Sequence, residues 1–394
     1  MSQDPVVIVS AQRTPMGGFM GELSSIPAST LGAEAIRAAV DQAGISPEEV
    51  EEVIMGCVLP AGQGQAPARQ AALGAGLPLG AGCTTVNKMC GSGMKAAMFA
   101  HDLLLAGSNR VMVAGGMESM SLAPYLLDRA RSGYRLGHGA IKDHMFLDGL
   151  EDAYEPGRLM GTYAEDTAEY FNFSREAQDK FAIRSLKRAM AAIDNGLFTS
   201  QVSPVTVKGR KGDTVVEQDE QPHKASLDKI PLLKPAFRKD GSVTPANSSS
   251  ISDGAAALVM MRASSAEQAG LSPLAKVVAH TTHAREPRWF TTAPVGAMQA
   301  LLEKTGWSVA DVDLWEINEA FAVVTMAAIE QLKLDAEKVN IHGGACALGH
   351  PIGASGARIM TTLTHALKER GDKRGVASLC IGGGEATAIA LEML

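Results

Sequence analysis

The chain has 394 residues, of which 46% are hydrophobic, 20% charged and 5% aromatic, and its formal net charge is −7. That length exceeds one simple core and predicts two or three domains, or one large α/β body with an insertion; disordered and fibrous classes are excluded by composition. The negative balance argues against a nucleic-acid partner, and no run of about 20 apolar residues offers a membrane span. The apolar run Val6-Val-Ile-Val9 is too short for a secretion signal, and Leu391-Glu-Met-Leu394 is not a peroxisomal address, so a cytoplasmic location is expected. Five scattered cysteines (Cys57, Cys83, Cys90, Cys346, Cys380) with no Cys-x-x-Cys pair speak against a disulfide framework or a structural zinc site; no metal is expected.

In chain order, Val6–Val9 reads as a buried strand. Residues 30–43, with Leu31, Ile36 and Val40 before Gly44, read as a helix closed by its glycine. Val53–Val58 is a second apolar run, 69–75 is Ala-rich, and Val111-Met-Val-Ala114 is a strand expected to end at Gly115-Gly116. Strands alternating with helices predict a largely parallel sheet covered on both faces. From about 121 to 247 the chain carries more charge and loop residues. It includes one clear helix over 174–193, a Thr162-x-x-Glu165 capping-box spacing before it, and a hairpin tip at Lys208-Gly-Arg-Lys211. The last third repeats the opening plan: a strand over 312–317, helices over 320–332 and 358–368, and a strand at 377–381 before Gly382-Gly-Gly384. Cys90-Gly-Ser-Gly93 and Gly353-Ala-Ser-Gly356 each open a helix, which suggests a duplicated α/β unit.

Cys90 sits between an apolar approach and Gly-Ser-Gly, at a strand-to-helix turn. Helix N-terminal amides there would lower a thiol pKa and could hold an oxyanion, while a buried cysteine in a glycine turn is equally compatible with the residues. His350, between Gly349 and Pro351, lies on a loop from which an imidazole can act as base or acid, or be structural. Cys380 stands near the carboxyl end of a strand, where sites of open α/β sheets gather, yet a cysteine there can be plain core. Asn318 follows a strand and opens a helix, so an N-cap suffices to explain it.

Val86-Asn-Lys-Met-Cys90-Gly-Ser-Gly, Asn318-Glu-Ala-Phe-Ala322, the Gly-His350-Pro-Ile-Gly block and Cys380-Ile-Gly-Gly-Gly, together with Arg13-Thr-Pro-Met-Gly17, resemble the thiolase family in family order. The resemblance implies a duplicated five-layered αβαβα core of two similar halves with an inserted loop domain. The first half would be 1–120 plus 248–273, the loop domain 121–247, and the second half 274–394. It also implies ping-pong acyl transfer with Cys90 as acyl carrier, His350 as base and Cys380 as second acid/base. One oxyanion hole would use the N–H groups of Cys90 and Gly382; the other would use His350 and a water held by Asn318. Coenzyme A and acetyl-CoA would be substrates, with no prosthetic group. Leu150, Met160, Phe237, Ser249, Ala320 and Phe321 would line the channel, with His223 nearest the adenine end.

Leu159 replaces a histidine usual in short-chain members, and Trp289-Phe290 replaces a more compact stretch. Acetoacetyl-CoA and broader 3-ketoacyl-CoA substrates are therefore both expected. A homotetramer with contacts near 134–144 is implied, and a β-oxidation partner subunit is left open. A ketoacyl-carrier-protein synthase-like enzyme, or a lipid-binding protein without catalysis, are the competing readings.

Overall fold

The computed structural model describes residues 4–394. Its first half supplies strands β1 (Val6–Arg13), β2 (Glu52–Gly56), β3 (Gly82–Val86), β4 (Val111–Ser119) and β5 (Ser252–Arg262). Its second half supplies β6 (Ala275–Ala284), β7 (Leu314–Ile317), β8 (Arg374–Ile381) and β9 (Glu385–Met393). The helices used below are α1 (Ala28–Ala43), α2 (Pro67–Gly74), α3 (Ser92–Ala106), α4 (Met160–Tyr170), α5 (Arg175–Asp194), α6 (Ala293–Thr305), α7 (Ala322–Leu332) and α8 (Ser355–Arg370).

The strands lie in the order β7-β8-β9-β6-β1-β5-β4-β2-β3. Each half follows one plan: β3-β2-β4-β5-β1 in the first, and β7-β8-β9-β6 in the second. Val339 bridges in parallel to Trp315 on the outer side of β7, where the first half has β3. The halves join where β1 pairs with β6 through Val7–Lys276 and Ile8–Ala275.

The sheet is mixed, contrary to the largely parallel arrangement expected. β2, β3 and β4 run parallel, as do β7 and β8, but β5 and β9 run against both their neighbours. The cause is the way each half closes. β9 returns from β8 through the Gly382–Gly384 turn, and β5 makes the same return from β4 only after the long segment 120–251. The inserted segment therefore occupies the connection that in the second half is a three-glycine turn. Gly115 and Gly116 lie inside β4 and do not end it; a Cβ on Gly116 would fall 2.0 Å from the Gly353 carbonyl oxygen.

Five layers follow from where the apolar side chains go. Leu31 and Ile36 of α1 and Ala71 of α2 pack on the outer face of the first-half strands. Met94 and Ala97 of α3 and Met360 and Leu363 of α8 fill the centre, against strands of both halves. Met298 and Leu301 of α6 cover the outer face of the second half. In the centre α3 and α8 touch backbone to backbone: a Cβ on Gly93 would lie 2.8 Å from Ala357 N, and one on Gly356 would lie 2.3 Å from Met94 N.

The inserted segment is pinned to this core by charge. Arg13, fully buried at the end of β1, forks onto Asp219 with N–O distances of 2.7 and 2.8 Å, and its Nε donates to Gln201. The helix expected over 174–193 is α5, capped by Ser174, whose Oγ accepts from Ala177 N. The hairpin forms with Val205–Val207 against Thr214–Val216. The capping box does not form: α4 begins at Met160, Thr162 Oγ1 donates to the Leu159 carbonyl, and Glu165 accepts from the backbone of Ser242 and Val243.

Gly356→Ala should force the two central helices apart. Overpacking of this kind costs about 1–3 kcal/mol, read as a lower denaturation midpoint together with lost activity. A wild-type midpoint would show that the contact is not tight.

Candidate active site

β3 ends at Val86 and α3 begins at Ser92, so Cys90 lies on a five-residue elbow between them. The turn is strained and tied. Met89 has φ +47°, a value few non-glycine residues adopt. Asn87 Oδ1 accepts from Met89 N, and Ser92 Oγ accepts from Lys88 N while donating to the Met89 carbonyl. Gly91 packs closely on the second half, since a Cβ there would lie 2.4 Å from Ile381 Cδ1 at the end of β8. The elbow is also ion-paired to the second half through Lys88 and Glu385.

His350 follows Gly349, whose φ of +104° and closeness to Ser252 Oγ admit only glycine. Its own N–H is 3.2 Å from the Ser250 carbonyl and from Ser252 Oγ. Nδ1 lies 2.5 Å from Ser355 Oγ, and Ser355 Oγ is 3.0 Å from the Pro351 carbonyl. If the one serine proton goes to that carbonyl, Nδ1 carries the imidazole proton and Nε2 is the basic nitrogen. Nε2 is buried with no hydrogen-bond partner among the described residues. Asn318 is 1% exposed, and its amide nitrogen lies 3.5 Å from His350 Nδ1. The N-cap reading of Asn318 fails, because α7 starts at Ala322 with Phe321 as its cap. The Asn318 Oδ1 atom is buried and unpartnered among the described residues.

Cys380 is fully buried in β8, paired with Ala386 of β9. Burial, with the neighbouring Cys90 sulfur adding to it, pushes its thiol far above the usual range. The turn that follows is fixed at its last two glycines, with φ of +93° at Gly383 and +92° at Gly384. Gly382 itself needs no special conformation and presents its backbone N–H toward Cys90.

The helix-terminus expectation for Cys90 is overturned by burial. Desolvation raises its thiol to about 11, although the N–H groups of Gly382 and Cys90 itself pull the other way. His350 is pushed down to about 3, first by burial and then by the Arg358 charge. At neutral pH the pair therefore rests as thiol and neutral imidazole, not as an ion pair.

Cys90, His350 and Gly382 line one cavity of about 340 Å³ together with Leu150, Met160, Phe237, Ser249, Ala320 and Phe321. One wall is built where residues 248–249 run against 320–321, through the Ser249 N–Ala320 O bond and the Ser248–Phe321 bridge. Phe237 meets Phe321 edge-on at 5.9 Å, a fit that Gly161 permits by lacking a side chain. Leu159 and Phe290 also line the cavity. His223 does not: on the short turn Gln221–Lys224 it lies 3.2 Å from Asp194, with 41% of its side chain exposed.

Two supporting residues escaped the sequence reading. Ser355 orients His350, and its only signal was its place five residues on in the glycine block. Glu118, fully buried at the end of β4, accepts from Val58 N, Leu59 N and Gly353 N at 2.9–3.1 Å, so it ties the loop after β2 to the His350 segment. Burial raises it to about 7. Nothing in its neighbours along the chain marks it.

Two family models cover the chain: "Thiolase, N-terminal domain" matches residues 6–264 and "Thiolase, C-terminal domain" matches 271–393. An acetyl-CoA acetyltransferase of Cupriavidus necator is 49% identical over 98% of this chain and 99% of its own. The human mitochondrial acetyl-CoA acetyltransferase is 50% identical over 99% of this chain and 90% of its own. A probable acetyl-CoA acetyltransferase of Dictyostelium discoideum is 48% identical, over 99% and 94%.

Two outcomes follow from the geometry. Below a thiol value of about 11 the thiolate fraction grows with pH, so alkylation of Cys90 by iodoacetamide should accelerate about tenfold per pH unit from 7 to 9. A plateau by pH 8 would show that the local dipoles outweigh burial. Glu118→Gln leaves one of two acceptor oxygens for three backbone donors, and each orphaned N–H costs about 1–3 kcal/mol. Denaturant titration should show that loss, with kcat falling more than KM rises.

Proposed function

The chain belongs to the thiolase family and is an acyltransferase, and we propose that it joins two acetyl-CoA molecules to acetoacetyl-CoA and free coenzyme A, and runs the reverse thiolysis. The observation that carries this reading is the meeting of the half-buried Cys90 thiol and an unpartnered imidazole nitrogen at one apolar cavity, with the buried Cys380 thiol next to Cys90. The family match sets aside the carrier-protein synthase alternative.

Cys90 Sγ attacks the carbonyl of the first acetyl-CoA as its proton passes to His350 Nε2. The developing oxyanion is held by the N–H groups of Cys90 and Gly382, a type of donor typically worth about 3–4 kcal/mol of barrier. Collapse forms acetyl-Cys90 and expels the coenzyme A thiolate, which takes its proton from Cys380. The Cys380 thiolate then removes a proton from the α-carbon of the second acetyl-CoA. The enolate oxygen is held by His350 and by a water on Asn318. The carbanion attacks acetyl-Cys90, the new carbon–carbon bond forms, and Cys90 leaves as thiolate to recover its proton from His350. Every group ends in its starting state. The raised Cys380 thiol supports the later step, because the thiolate of a weakly acidic thiol is a strong base toward the α-carbon proton.

A second cavity, lined by Ser226, Lys229 and Leu233, shares Pro245 and Ser250 with the first. That continuity supports a coenzyme A arm running along segment 121–247, which we assign as the substrate-binding insertion. A short acyl group is favoured by the aromatic wall, where Phe290 meets Phe321 at 6.5 Å, and by the names of the relatives. Tyr125, Leu127, Leu136 and Ile141 are exposed on the insertion and support a homotetramer contact there. No described helix is long and apolar enough to cross a membrane, and a cytoplasmic enzyme is the proposed setting.

Cys380→Ala separates the two halves of the reaction. It should still acetylate Cys90, but lose solvent deuterium exchange at the acetyl methyl and lower condensation by about 10²–10⁴, the usual worth of a positioned acid–base. Undiminished condensation in this variant would remove Cys380 from the chemistry.

A further inference from the structure

Far from the thiol pair in sequence role, α3 and β6 bring three donor groups together. We propose that His101, Asp102 and His280 bind a divalent first-row metal ion, Zn²⁺ foremost, which clamps helix α3 of the first half to strand β6 of the second. His101 Nδ1 and His280 Nε2 each lie 2.9 Å from the same Asp102 Oδ1, and the three ligand atoms all fall within 4.8 Å of one another. The imidazoles are fixed edge-on, 5.0 Å apart at 89°. Two histidines and one carboxylate are a common zinc set, with water completing a tetrahedron. Bonds of about 2.0–2.1 Å need donors roughly 3.3 Å apart, so the two 2.9 Å carboxylate–imidazole gaps must open by a few tenths of an ångström while the widest separation, within 4.8 Å, closes around the ion. Asp102 can move, since 57% of its side chain is exposed, whereas the imidazoles, at 11% and 13%, are held. The exposed carboxylate leaves the fourth position open to water.

His280 reaches this face because of a defect in the strand. Ala275 and Val277 of β6 face the central helices, but the pairing with β9 shifts between Val277 and Ala279. Past that bulge Ala279 faces the outer layer, so His280 turns inward to α3. The first half has the same bulge, between Ile8 and Ser10 of β1. Counting from the matched serines Ser92 and Ser355, Asp102 corresponds to His365, and counting from the bulges, His280 corresponds to Ala11. There a single bond from His365 Nε2 to the Ala11 carbonyl, 2.9 Å, joins helix to strand. Three converging ligands are thus not what the duplicated packing requires. The sequence spacing gave no sign of them, because His280 lies 178 positions from Asp102.

The test is Zn²⁺ titration by calorimetry of chelator-treated protein carrying Cys90→Ala, which removes the catalytic nucleophile as a competing ligand. One ion per chain and a raised unfolding midpoint are expected. Adding His101→Gln and His280→Gln should weaken that binding by more than the roughly 10–100-fold that even outer-shell partners contribute. In protein with Cys90 intact, the two histidine changes should leave turnover unchanged. Asp102→Asn retains an acceptor oxygen for the imidazoles, so it should keep the metal-free midpoint while losing the ion. Equal Zn²⁺ affinity with and without the two histidines, or no ion bound by the Cys90→Ala protein, would overturn the proposal and leave a hydrogen-bonded His–Asp–His contact.

Discussion

The site depends on two helices that touch without side chains between them. Gly93 and Gly356 let the first turns of α3 and α8 meet backbone to backbone, so the elbow before one and the loop before the other face the same space. Cys90 and His350 come from opposite halves of a duplicated unit, and this crossing is what makes them neighbours. Gly91 against Ile381 then draws in the end of β8, which brings Cys380 and the Gly382 amide to the thiol. Three close approaches therefore assemble groups from opposite ends of the chain, which Glu118 and the Lys88–Glu385 pair hold in register.

Burial dominates the electrostatics that result. A thiol two residues ahead of a helix would ordinarily be acidified, yet removal from water raises Cys90 and lowers His350, and both rest neutral. Such a resting state suits the proposed role of Cys90 as nucleophile, in which proton transfer to His350 becomes favourable only as charge moves onto the substrate oxygen. The same apolar surroundings suit a pantetheine arm and a small acyl chain.

Much of the fold was legible because local patterns carried it. The 3.6-residue periodicity and terminal glycines marked α1 and α5, and repeated Gly-Ser-Gly and Gly-Ala-Ser-Gly segments disclosed the duplication. Strand direction was not legible, since a run such as Ser252–Arg262 is equally apolar whether it pairs parallel or antiparallel, and the connection 120–251 before it is long enough for either. Cys90, His350 and Cys380 could be found through their glycine-rich neighbours. Glu118, by contrast, acts on Val58, Leu59 and Gly353, none near it in the chain, so no spacing could reveal it. The lowered thiol pKa was misjudged for a related reason: a helix terminus is visible in sequence, whereas the depth at which it is buried is not.

The central claim is that Cys90, and not another of the five thiols, carries the acyl group. The direct measurement is acid quenching of the enzyme with acetyl-CoA, followed by peptide mapping by mass spectrometry. The account predicts one acetyl group, on the peptide containing Cys90, which disappears when free coenzyme A is added before quenching. Acetyl found on Cys380 or Cys346, or full turnover with no acetylated cysteine, would contradict it.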